Sequence, residues 1–164
     1  MNRVRSLCIL IMFISLAIIG SMIKLPTAIG SIALDSASAI IAAAILGARC
    51  GAVVAGIGHL SSAFLAGFPL GLFHVLIAGE MGIIVYIFGL LYWKNWKNTA
   101  FSLFFAANAF IAPIPFIFLM GVPFVVSILP SLISGAIINL VVSIIIIPTL
   151  LRIKMFHSGK MWHA

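Results

Sequence analysis

Read for apolar and polar positions, the chain is a succession of long apolar runs cut by short polar or glycine-rich breaks. The breaks fall at residues 24–30, 47–51, 67–71, 93–98 and 120–123. They predict helices near residues 4–23, 34–47, 51–66, 70–92, 99–119 and 124–150. Runs such as Leu140 to Leu151 are apolar on every side and lack the strand-period alternation of a membrane β-barrel. About 20 such residues cross about 30 Å of hydrocarbon, and a helix satisfies its own backbone there. The second and third runs are short and are expected to pack within the bundle instead of spanning on their own. Pro113 and Pro115 in the fifth run, and Pro130 and Pro148 in the sixth, predict kinks. The predicted fold class is an all-α membrane protein, one six-transmembrane-helix bundle over residues 1–164.

Composition agrees with the pattern: 65% of the residues are hydrophobic and 7% charged, against about 25% charged in soluble domains. Charge adds orientation. Arg3, Arg5, Arg49, Lys94, Lys97, Arg152, Lys154 and Lys160 collect on one side of such a bundle, leaving Lys24 opposite. Cations accumulate on the cytoplasmic side, so both termini are expected in the cytoplasm of a multi-pass protein of a prokaryotic plasma membrane. The net charge of +7 is then a topology signal and predicts no nucleic-acid partner. Tyr92, Trp93 and Trp96 beside these cations read as an interfacial anchor. The first run is too long in its apolar core for a signal peptide and has no A-x-A-like cleavage site, so it is read as a retained helix. Cys8 and Cys50 suggest neither a disulfide nor a metal site.

The chain lacks a P-loop, H-E-x-x-H and G-x-S-x-G. It is not expected to hydrolyse ATP or to be an enzyme, and no cofactor is expected in this chain. A membrane enzyme built on His59 with Ser61 or Ser62 would need its hydroxyl from another helix.

What remains are polar residues that lipid does not tolerate. Asp35 opens the second helix, where it can cap the first free amides or close the mouth of a pocket. The connection around it, residues 23–39, would fold over that mouth as a lid. His59 and Glu80 both reach near the bilayer centre, where an ionisable group faces the bundle interior and marks a functional site. They form the candidate pair; the bland alternative is a bond tying two helices together. His74, nearer the outer end, belongs either to the same site or to the interface. Asn108 matches the depth of His59 and Glu80 and is placed at the floor of the site. Asn139, deeper, reads as interhelical glue. Phe68, in the Gly-Phe-Pro-Leu-Gly turn, either dips into headgroups or folds inward as an apolar wall. Ala17 and Ser21 form a small-xxx-small pair, for contact within the bundle or with a partner.

Taken together, these features resemble the substrate-binding S components of energy-coupling factor vitamin transporters. The stretches "KLPTAIGSIALDSASA", "GIGHLSSAFLAGFPLG" and "LIAGEMGIIVYIFG" are most similar to the α-ribazole, or cobalamin-precursor, group. The resemblance implies a chain that binds a vitamin or vitamin precursor from outside. It then topples against a transmembrane T component driven by two cytoplasmic ATPases, the partners that use ATP. It also implies that Ala17 and Ser21 form the docking surface, serine standing where the family often has alanine. An α-ribazole ligand suits Phe68 as a wall, Asp35, Glu80 and Asn108 toward the sugar, and His59 or His74 toward the ring nitrogen. The rival expectation is a stand-alone channel or secondary transporter with His59 and Glu80 in its path.

Overall fold

The structure is a computed structural model that describes residues 3–26 and 31–153. Lys154 and Lys160, two of the cations used to orient the chain, lie outside the described residues, as do residues 27–30 of the first connection. The order is α1 (Arg3–Met22), β1 (Lys24–Pro26), β2 (Ser31–Ala33), α2 (Asp35–Leu46), α3 (Ala48–Leu65), α4 (Phe73–Trp93), α5 (Lys97–Ala106), a π-helical turn (Ala107–Ile111), α6 (Ile114–Met120) and α7 (Val122–Leu151).

Among the described residues, five helical stretches are long and apolar enough to cross a membrane, the stretch 97–120 counting as one. The bundle therefore has six helical stretches but five candidate spans. The exception is α2, whose 12 residues rise about 18 Å at 1.5 Å each. The third run was expected to be short. Instead α3 begins at Ala48, directly after Gly47, and its 18 residues make a span. Gly47 alone interrupts the helix there, at φ 107°, and the small residues that follow continue it.

The centre of the bundle is α2, buried along almost its whole length from Ala37 to Leu46. Its alanines let neighbours approach to backbone distance, the kind of contact that holds helices together where lipid is as apolar as the side chains. A Cβ on Gly51 would lie 2.7 Å from the Ala43 Cα, and one on Gly89 would lie 2.6 Å from the Ala48 Cα. Trp93 ties the same end together, its Nε1–H donating to the Ala43 carbonyl at 3.0 Å. Gly47, Arg49, Lys94, Lys97 and Arg152 all lie at this end by connectivity, so it is the cationic end.

The opposite end carries a β-hairpin, β1 pairing antiparallel with β2, with Leu25 opposite Ile32. β2 packs against α7 and α1. The α3–α4 turn closes this hairpin end with a Schellman motif. Gly67 stands at φ +77°, its N–H donates to the Phe64 carbonyl at 3.0 Å, and the Phe68 N–H donates to the Ala63 carbonyl at 2.8 Å.

The small residues of α1 are used inside this bundle. Ala17 and Ser21 are both fully buried. A Cβ on Gly58 of α3 would meet the Ala17 Cβ at 2.9 Å, and one on Gly20 would meet the Leu34 carbonyl oxygen at 2.5 Å. The Ser21 hydroxyl donates back to the Ile18 carbonyl at 2.7 Å. Ala17 and Ser21 therefore do not form an exposed docking surface; their smallness brings α1 onto α2 and α3.

Candidate functional site

The start of α2 is held by α7. Leu34, not Asp35, occupies the position before the helix, and no side chain of α2 itself caps it. Asp35 is the first helical residue, and its Oδ1 accepts from the Ser36 hydroxyl at 3.2 Å. The free amide of Ala37 donates instead to Asn139 Oδ1 at 2.7 Å, across from α7. Asn139 Nδ2 donates to the Gly135 carbonyl at 2.9 Å, and Ser143 donates to the Asn139 carbonyl at 2.7 Å. A cap of this kind stabilises a helix by about 1 kcal/mol, and here it also fixes α2 against α7. Asn139 is thus interhelical glue with a capping role.

Beside this cap lies a polar cavity of about 240 Å³. Asp35 and Ser36 line it from α2, His59 and Ser62 from α3, and Asn108 from the π-helical turn. Ser131, Gly135 and Asn139 complete it from α7. Ile77, Met81, Asn108 and Leu132 also line a second, smaller chamber of about 80 Å³. Its walls are apolar, with Phe116 and Phe124 among them, and Glu80 is its one ionisable lining residue. Glu80 Oε2 is buried without a hydrogen-bond partner.

The shared wall follows from two prolines. Pro113 and Pro115 have no N–H to return to the preceding turn, and the helix widens just before them into the π-helical turn. The Ala112 N–H donates to the Ala107 carbonyl at 2.8 Å, a five-residue step. Such turns recur at functional sites. This one carries Asn108, whose Nδ2 donates to Met81 Sδ at 3.0 Å. A thioether is a weak acceptor, so this amide is readily transferred to a better one.

His59 and His74 pair with each other, and His59 does not pair with Glu80. His59 Nε2 lies 3.2 Å from His74 Nδ1, and the Leu70 N–H donates to His74 Nε2 at 3.4 Å. For two neutral rings, these bonds assign the tautomers. Since His74 Nε2 accepts, its proton sits on Nδ1 and is donated to His59 Nε2, which leaves His59 with its proton on Nδ1. His74 is buried and lines neither cavity; it orients His59 from behind.

Phe68 is held at φ 48° and is 39% exposed. Its ring meets His74 and Phe64 edge-on, with centroids 5.9 Å and 6.2 Å away. It lines neither cavity, so the expected ligand wall is not Phe68. The aromatic walls come from Phe116 and Phe124, whose centroids are 6.4 Å apart. Sequence reasoning passed over both because phenylalanines are common in apolar runs and nothing local marks these two. Of the six residues expected at the site, Asp35, His59 and Asn108 share the polar cavity and Glu80 joins them through Asn108. Phe68 and His74 stand behind.

No family model, curated protein or solved structure matches this chain.

Proposed function

We propose that this chain is the substrate-binding subunit of an energy-coupling factor vitamin importer, and that it takes a neutral benzimidazole nucleoside, α-ribazole, into the polar cavity. In this reading the hairpin end faces outward in a prokaryotic plasma membrane and the cationic end faces the cytoplasm. The β-hairpin, packed on α7, covers the entrance. Release inside depends on a T component and two ATPases, which use the ATP. Since Ala17 and Ser21 are buried, docking falls to other side chains.

The observation that carries the proposal is the gathering of Asp35, Ser36, His59, Ser62 and Asn108 around one cavity inside an otherwise apolar bundle. A ligand site is mostly apolar with a few convergent polar groups that set orientation. The lining includes no lysine or arginine, which suits an uncharged ligand and disfavours a phosphorylated one. The test is calorimetric titration of the purified chain in detergent with α-ribazole, cobalamin, riboflavin and thiamine. Tightest binding of α-ribazole is expected. Tightest binding of another vitamin keeps the importer class and replaces the ligand, and binding of none sinks the reading. Co-purification with a T component and two ATPases separates this reading from a stand-alone transporter or channel.

A further inference from the structure

We infer that the two adjoining chambers divide the ligand, the small apolar chamber taking a flat nitrogen heterocycle and the polar cavity taking its hydroxylated part. This deepens the proposed function and rests on it. The small chamber has the chemistry of an aromatic slot: Phe116, Phe124, Ile77 and Leu132 supply apolar wall. Its volume of about 80 Å³ is several times the roughly 10–15 Å³ that one water needs. The single ionisable group in that lining is Glu80, and its Oε2 is a buried oxygen without a partner. A buried polar atom of this kind calls for a bond from outside the protein. A nitrogen on the ring edge supplies it. A benzimidazole nucleoside has its sugar on one ring nitrogen and leaves the other bare, so Glu80 carries the proton and donates.

The polar cavity has the complementary chemistry. Asp35, Ser36, Ser62 and the Nδ1–H of His59 offer acceptors and donors suited to vicinal hydroxyls. Asn108 stands on the shared wall, held by a weak bond to Met81, where base and sugar would join. The roles therefore differ from those expected from sequence. Glu80 serves the ring, and the sugar falls to Asp35 and the serines.

The experiment compares two ligands, α-ribazole and free dimethylbenzimidazole, on the wild-type chain and three variants by titration in detergent. Ile128 of α7 also lines the apolar chamber, and Ile128→Phe, which fills it, should weaken both ligands about tenfold or more, the effect of about 1.4 kcal/mol. Asp35→Asn should weaken α-ribazole about tenfold and leave the free base unchanged; Ser62→Ala replaces it if the first does not elute as a single folded species. Glu80→Leu, which removes the donor to the ring nitrogen, should weaken both ligands about tenfold, and unchanged binding of both in the folded variant overturns the division. Equal loss of both ligands in Asp35→Asn or Ser62→Ala, or no loss in a folded Ile128→Phe, overturns the division while α-ribazole binding stands. Failure of the wild type to bind either ligand overturns the nucleoside reading first, and the division with it.

Discussion

The two ends of the bundle share close helix packing and differ in what fills the space between the helices. At the cationic end, α2, α3 and α4 approach until glycine and alanine backbones touch. Phe88 and Phe104 fill the remaining space, both fully buried, with ring centroids 6.3 Å apart. At the hairpin end α1 still packs closely, at Gly20 against Leu34 and at Ala17 against Gly58, but polar side chains face the interior, and a π-helical turn, a helix cap supplied by another helix and two cavities appear. One end is filled by small residues and aromatic rings, and the other combines close packing of α1 with two cavities. A membrane bundle gains little from apolar burial alone, because lipid is equally apolar. Rigidity has to come from close packing, and the packed end supplies a fixed base for the site.

The largest effect should come from breaking the closed end. Gly51→Leu forces a side chain into the Ala43 backbone and should destabilise the fold by about 3 kcal/mol or more, read as loss of the monodisperse species and of its thermal transition in detergent. Gly79→Leu sharpens the contrast, because no atom lies within 4 Å of a Cβ at Gly79. That variant should fold normally. A folded, wild-type-like Gly51→Leu would remove the rigid base from the account.

Asn139→Leu comes next. It leaves the Ala37 amide without its acceptor and should lower stability by about 1–2 kcal/mol, measured by thermal shift. Ligand affinity should fall with it, since Asn139 also lines the polar cavity. His74→Ala removes the acceptor of the Leu70 amide and the partner of His59. About 1 kcal/mol of stability should go, with a severalfold loss of affinity through a misoriented His59. Smallest of all is Phe68→Asn, which suits a left-handed backbone and gives up only ring contacts worth about 0.5–1.5 kcal/mol. Its affinity, by equilibrium titration, should stay within about twofold of wild type because Phe68 lines neither cavity.

Much of this was legible in the sequence, for identifiable reasons. The helical, membrane-spanning character follows from runs apolar on every side. Asp35, His59, Glu80 and Asn108 stood out because polar groups are rare in such runs, and matching depth placed His59, Glu80 and Asn108 near one another, with Asp35 at the mouth. The partners were not legible. Choosing between Glu80 and His74 for His59 depends on how α3 and α4 rotate about their axes, which spacing along one helix does not fix. Ala17 and Ser21 show the same limit: small residues signal close approach without saying whether the neighbour is this chain or another. Phe68 looked like a wall because its turn is short. The Schellman motif sends the ring onto His74 instead, while Phe116 and Phe124, which nothing local marks in the sequence, line the apolar chamber.

The central claim is that ligand enters the hairpin end while the cationic end stays closed. The most direct test is thiol accessibility in a Ser62→Cys variant carrying Cys8→Ser, with the native, buried Cys50 as the packed-end reference. A small methanethiosulfonate reagent should modify the thiol introduced at position 62 and leave Cys50 untouched. α-Ribazole should slow that modification in proportion to its occupancy. Modification at position 62 that is indifferent to saturating ligand, or ligand protection that appears at Cys50 instead, would contradict the account.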